Sequence, residues 1–211
     1  MKVAIKFEGH DAENRLKELG LTFEDLTTSL SAGYLARSSC TNNDVPMYPG
    51  ITQFNHTVRM LRQRLIPRGW EKSDKGGYSR IISPCGKYAI AVSSGCDFTG
   101  KAEYAPSTRH PKGNCTEDIV KANCTQLNFF SDNSQSDEEE SNTKTTLILL
   151  YYDDENEIRG ELSLPEAIQG GYITGWAERI ILPIQKIDDF SILKEPDFGP
   201  EIEIEINKKE Q

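Results

Sequence analysis

The sequence predicts an α+β fold in which N-terminal helices pack on a mostly antiparallel sheet built from two hairpins and terminal strands. Apolar residues recur at spacings of three and four in the first third of the chain, which indicates amphipathic helices. Later in the chain, two pairs of β-rich runs each flank a short turn-forming segment, which indicates hairpins. Runs near both ends, at 2–7 and 201–206, alternate apolar and polar residues as half-buried strands do.

Two helices are predicted near the start of the chain, at 11–19 and from 23 to about 37. A glycine follows the first helix and ends it, since glycine is common just beyond a helix C-terminus. Thr22 and Asp25 have the three-residue spacing of a capping box, which predicts the start of the second helix. Gly33 argues against a regular second half of that helix, because glycine weakens a helix interior.

The segment 51–66 has the clearest helical pattern in the chain. Its narrow apolar stripe consists of Ile51, Phe54, Val58, Leu61 and Leu65. Pro67 and Gly69 end this helix, because proline and glycine rarely continue one. Thr116 is a suitable N-cap residue for a fourth helix, from 117 to about 127.

The strands are predicted mainly in the second half of the chain. The runs 78–83 and 87–93 flank a Pro-Cys-Gly turn and form the first hairpin. The runs 145–152 and 157–164 flank an acidic turn and form the second. The first strand of that second hairpin is apolar at almost every position, so we expect it to be buried on both faces. A further strand is predicted at 176–183.

The chain of 211 residues is predicted to form one domain, 1–211. Two segments stand apart from the regular elements, a polar loop at 94–114 and an acidic low-complexity insert at 131–143. The N-terminus lacks the apolar run of a secretory signal, and no apolar run approaches the roughly 20 residues of a membrane helix. Five cysteines at uneven spacings do not fit a disulfide framework. We therefore expect a cytoplasmic protein with no membrane partner.

Charge is distributed unevenly along the chain. Residues 51–113 carry eleven Lys or Arg against four Asp or Glu, a net charge of +7, whereas residues 114–211 have a net charge of −14. A basic segment of this kind is suited to phosphate groups. The residues predicted to bind an anion are Asn55, Arg59, Arg62, Arg68, Lys72, Lys101 and Lys112. The alternative is a solvated helix face whose cations pair with the acids of the same chain.

The polar loop 94–114 offers a second candidate site. It holds Asp97, Arg109 and His110, together with glycines that let a backbone approach an anion. In a hydrolase that acts on a phosphorylated substrate, His110 would serve as general acid or base and Arg109 would hold the anion. Neither a P-loop nor a dinucleotide-binding motif supports this site. The alternative is a surface loop that is rich in turn-forming residues.

Metal binding has little support in the sequence. Cys96, His110, Cys115 and Cys124 are suitable ligand types, but no two of them have the close spacing typical of a structural zinc site. Asp153 and its acidic neighbours in the second hairpin have the pattern of a solvated turn. The sequence therefore predicts no metal and no cofactor.

These observations favour a non-enzymatic binding or accessory subunit. Its basic middle region would contact an anionic partner, with nucleic acid as the foremost candidate, and its acidic half would contact a protein partner. The charge split and the lack of a catalytic motif together motivate this hypothesis. The alternative is a hydrolase that acts on a phosphorylated substrate or on nucleic acid through the 94–114 loop.

Overall fold

The computed structural model describes residues 4–131, 145–154 and 156–188. In chain order the elements are β1 (Ile5–Phe7), α1 (Gly9–Glu18), α2 (Phe23–Ser38), α3 (Tyr48–Leu65), β2 (Glu71–Ser73), β3 (Arg80–Ile82), β4 (Tyr88–Ser94), α4 (Asn114–Ser131), β5 (Thr145–Asp153), β6 (Glu157–Gln169), β7 (Tyr172–Ile181) and β8 (Gln185–Lys186). Helices from the N-terminal part of the chain pack on one mixed sheet, which confirms the predicted α+β fold. The predicted strand at 201–206 and, apart from Ser131, the acidic insert at 131–143 lie outside the described residues.

The sheet has the strand order β1-β7-β6-β5-β4-β3-β2, with β8 also paired to β6. The β3–β4, β5–β6 and β6–β7 pairs are antiparallel, and so are the pairs that β2 and β8 make. Only β1–β7 and β4–β5 are parallel among the described strands. A parallel pair needs a long connection, and between β4 and β5 that connection contains the polar loop and α4. The sheet is therefore mostly antiparallel, as predicted.

Both faces of the sheet are covered. On β5, Leu147, Leu149 and Tyr151 belong to the core beneath the N-terminal helices. Ile148 and Leu150 belong to a smaller core on the opposite face, with Val120 of α4 and Trp176 of β7. Because side chains alternate along a strand, this division is what a strand buried on both faces requires.

The N-terminal helices begin and end close to the predicted positions. Thr22 and Asp25 form both hydrogen bonds of a capping box at the start of α2. Gly33 lies inside α2 without interrupting the helix. An added Cβ at this position would meet Thr57 of α3. Glycine at this point lets the two helices approach closely. At the C-terminal end of α3, Gly69 adopts a left-handed φ of 86° after a short 3-10 turn.

The apolar stripe of α3 is not buried along its whole length. Val58, Leu61 and Leu65 are buried in the core, whereas Ile51 and Phe54 are 54% and 37% exposed. The side of the first turns of α3 that carries Ile51 and Phe54 therefore lies outside the core, whereas Gln53 on another side of the same turns is buried. None of the described helices combines the length and the apolar character that crossing a membrane requires.

Candidate functional site

A cleft of about 650 Å³ opens where the start of α3 faces the end of β4 and the last residues of the polar loop. We call it the cationic cleft. It is lined by Arg37, Pro46, Met47, Pro49, Gly50, Ile51, Gln53, Phe54, Val92, Ser93, Ser94, Arg109, His110, Lys112 and Tyr151. None of these residues is an aspartate or a glutamate. The composition of the lining therefore favours a negatively charged ligand.

Two cations of the cleft, Arg109 and Lys112, lie on the polar loop and pair with no acid among the described residues. The loop backbone that carries them is fixed at two points, because the Arg109 N–H donates to the Ser94 carbonyl at 3.0 Å and the Lys112 N–H donates to the Gly171 carbonyl at 2.7 Å. Neither Arg109 nor Lys112 forms an ion pair with any residue that the structure describes. Burial lowers the pKa of Lys112, and an anion beside its ammonium group would raise that pKa again.

A third cation of the cleft is already paired. The Arg37 Nη1 donates to the Asp153 Oδ2 at 2.5 Å, and the Gln53 Nε2 donates to the Asp153 Oδ1 at 2.6 Å. Only 8% of the Asp153 side chain is exposed, so this carboxylate lies behind the lining. Burial and the charge of Asp153 raise the pKa of Tyr151 to about 12, so its phenol is neutral at pH 7. The positive charge available to a ligand therefore comes from Arg109 and Lys112.

One side of the cleft is apolar. Met47, Ile51 and Phe54 line it, and we call these three residues the apolar wall. They are 68%, 54% and 37% exposed, which is unusual for three large apolar side chains so close together. The cleft thus offers apolar surface and unpaired positive charge side by side.

The polar loop that supplies these cations is anchored by a buried ion pair. Glu161 of β6 and Arg179 of β7 are 0% and 1% exposed. The Arg179 Nε donates to the Glu161 Oε1 at 3.0 Å, and its Nη2 donates to the Oε2 at 2.6 Å. The Ser163 hydroxyl and the Gly100 N–H also donate to this carboxylate, at 2.7 and 2.9 Å. Four donors thus surround a carboxylate that has no access to water.

Two buried arginines hold the loop through its backbone. The Arg179 guanidinium donates to the carbonyls of Tyr104 and Lys101, at 2.6 and 3.1 Å. The Arg159 Nη1 donates to the carbonyls of Asp97 and Thr99, at 2.8 and 3.1 Å. Most of the polar loop therefore forms a defined layer over the sheet. We call Arg159, Glu161 and Arg179 the loop anchor.

Sequence reasoning did not identify the loop anchor. Glu161 and Arg159 lie in the predicted strand 157–164, in which Ile158, Leu162 and Leu164 are apolar. A charged residue within an otherwise buried strand is a usable signal, since such a charge must find a partner. The identity of that partner, Arg179, depends on the β6–β7 register, in which Ser163 lies opposite Arg179.

The residues predicted to bind an anion lie in different surroundings. The Arg62 Nη2 lies 2.6 Å from the Asp74 Oδ1, and the Arg68 Nη2 lies 2.7 Å from the Asp25 Oδ2. Asn55, Arg59 and Lys72 are exposed, Lys101 is half-buried in the loop, and Lys112 lines the cationic cleft. Of the seven predicted residues, Lys112 alone is among the residues that line the cleft.

The structure brings together two of the three residues predicted to be catalytic. Arg109 and His110 both line the cationic cleft. Asp97 is exposed and is not among the lining residues, and its carbonyl accepts a hydrogen bond from Arg159. In residues 4–131, 145–154 and 156–188, no three His, Cys, Asp or Glu side chains are placed to hold a metal ion.

Comparison of the chain with protein-family models, curated proteins and solved structures finds no match. The geometry of the cleft is therefore the evidence on the function of this protein.

Proposed function

We propose that this protein is a non-enzymatic binding or accessory subunit that takes up an anionic partner in the cationic cleft. The observation that carries the proposal is a concave site without a lining carboxylate, in which Arg109 and Lys112 form no ion pair with any described residue. Two cations in one cleft repel each other, and the described residues place no carboxylate between them. An anionic partner supplies their counter-ion.

The proposed anion site is the cationic cleft and not the basic face of α3. Arg62 and Arg68 are held by Asp74 and Asp25, so the basic face of α3 has lost much of its charge to acids of the same chain. The cleft cations have no such competitor in the described part of the protein. The acidic half of the chain, residues 114–211, remains the proposed contact for a protein partner.

Calorimetric titration with inorganic tripolyphosphate tests the proposal at low ionic strength. Arg109→Ala and Lys112→Met are each expected to weaken binding about tenfold, because each removes one charge-assisted contact. The affinity is also expected to fall steadily as salt is added, since anion binding displaces counter-ions.

Two matched variants locate the site. Arg59→Ala and Lys72→Ala each remove an exposed cation from the basic segment outside the cleft, and we expect both to bind tripolyphosphate like the wild-type protein. Equal weakening by all four variants would show that net charge alone attracts the anion. Weakening by the Arg59 and Lys72 variants alone would place the site on the helix face and contradict the cleft proposal.

The hydrolase remains a second candidate because Arg109 and His110 line the same cavity. It predicts release of nitrophenolate from p-nitrophenyl phosphate, and loss of that activity in His110→Ala. The binding proposal predicts no turnover by the wild-type protein. Turnover that depends on His110 would therefore favour the enzyme.

A further inference from the structure

We infer that the anionic partner is an acidic segment of a second polypeptide that carries large apolar side chains. The inference rests on the proposed function, since it names the class of partner that the cationic cleft takes. Its basis is the position of the apolar wall next to Arg109 and Lys112 in one cavity.

The apolar wall would be unused by a small inorganic anion. Met47, Ile51 and Phe54 are all substantially exposed, and water around them is released only when an apolar surface covers them. A partner that neutralises the cations and also covers the wall must carry carboxylates and apolar groups together. A polypeptide with glutamate or aspartate between large apolar residues has this chemistry.

The same lining is poorly suited to nucleic acid. Binding of an unpaired strand needs a row of cations along the backbone and exposed aromatic rings on which bases stack. Phe54, His110 and Tyr151 are the aromatic residues among those that line the cleft, and Tyr151 is buried. Arg62 of α3 and Arg68 just beyond that helix are engaged with carboxylates and do not extend the charge.

The size of the cleft also fits a short segment. A volume of about 650 Å³ accommodates a few side chains and not a folded surface. The cations come from the polar loop and the wall comes from the start of α3, so a bound segment would contact both elements.

The chain's own sequence provides a probe of this chemistry, because residues 201–206 read Glu-Ile-Glu-Ile-Glu-Ile. A fluorescent synthetic peptide of this sequence is titrated with the full-length protein and followed by anisotropy. The matched control peptide has serine in place of each isoleucine and therefore the same charge. We expect the isoleucine peptide to bind at least about tenfold more tightly, which corresponds to about 1.4 kcal/mol.

Variants of the protein separate the two parts of the site. Ile51→Ser and Phe54→Ser alter exposed side chains, so they should fold like the wild-type protein. They are expected to weaken binding of the isoleucine peptide several-fold more than they weaken binding of tripolyphosphate. Arg109→Ala is expected to weaken binding of both ligands.

Four results would overturn the inference. If the two peptides bind equally, the cleft recognises charge alone. If a single-stranded oligothymidylate of equal charge binds more tightly than the isoleucine peptide, the partner is nucleic acid. If Glu201→Gln, Glu203→Gln and Glu205→Gln together strengthen binding of the added peptide tenfold, the occupant is the chain's own segment and not a second polypeptide. If tripolyphosphate shows no binding that depends on Arg109, the proposed function itself fails.

Discussion

Glu161→Gln is the substitution that most directly tests how the polar loop is held. It keeps the shape of the side chain but removes the charge that faces Arg179, and both residues are almost fully buried. Removing one partner of a buried ion pair leaves an uncompensated charge in the interior, at a cost of about 3–5 kcal/mol. For a protein of this size, such a loss lowers the melting temperature by about 2–4 °C per kcal/mol. We therefore expect melting about 6–20 °C below that of the wild-type protein.

Urea unfolding followed by tryptophan fluorescence measures this loss. Trp176 is a useful reporter because its Nε1 donates to the Pro106 carbonyl in the loop, at 2.8 Å. Glu13→Gln is the control, since its ion pair with Lys17 lies on the surface of α1 and its loss should leave stability unchanged. The double variant Glu161→Gln, Arg179→Met should recover part of the loss, because no buried charge is left without a partner.

The recovery in the double variant should be incomplete. Arg179 also donates to the carbonyls of Tyr104 and Lys101, and methionine leaves both acceptors without these bonds. Two outcomes would refute the reasoning. One is a Glu161→Gln variant within about 1 kcal/mol of the wild-type protein. The other is a double variant less stable than the single one, since the unpaired charge would then not be the cause.

Two further predictions concern the N-terminal helices and their contact with the sheet. Burial by itself raises the pKa of Asp25, but hydrogen bonds from Thr22, Arg68 and other donors outweigh it and lower that pKa. The carboxylate therefore stabilises the fold above its unfolded pKa of 3.8, and this contribution is lost as the pH falls through the lower folded value. Asp25→Asn should lower the free energy of unfolding by about 1–3 kcal/mol at pH 7 and by progressively less in acid. Urea titrations at several pH values measure this difference. A difference between the two proteins that stays constant with pH would contradict the prediction. Gly160→Ala should cost about 1–3 kcal/mol in the same titration, because the added Cβ would meet Leu30 of α2. Gly113→Ala, which has open space around it, should cost nothing; equal losses in the two alanine variants would show that packing is not the reason.

Patterns within single segments of the sequence were sufficient to predict most of the helices and strands. Helix α3 and the two hairpins were predicted because their periodicity and turn residues act within one segment. The short strand β2 was missed because Glu71–Ser73 has no apolar alternation and exists through its pairing with β3. Gly33 was misjudged for a related reason, since what requires glycine there is the approach of α3 and not a bend in α2.

The candidate site was predicted only in part. The sequence identified Arg109, His110 and Lys112 because they crowd into one polar loop, but it grouped them with partners that lie elsewhere. It also treated Ile51 and Phe54 as members of the same stripe as the buried Leu61. Whether a residue on an amphipathic stripe is buried depends on where the opposing layer ends, and periodicity carries no information on that point.

The sequence by itself determined the α+β class, the positions of the main helices and hairpins, and the excess of positive charge between 51 and 113. These properties follow from interactions between residues close together in the chain. Only the tertiary structure decided which positive charges remain available. Asp25 and Asp74 neutralise Arg68 and Arg62 across separations of 43 and 12 residues, while Arg109 and Lys112 form no ion pair within the part of the chain that the structure describes. Charge pairing of this kind depends on distances of a few ångströms in space, which composition cannot provide.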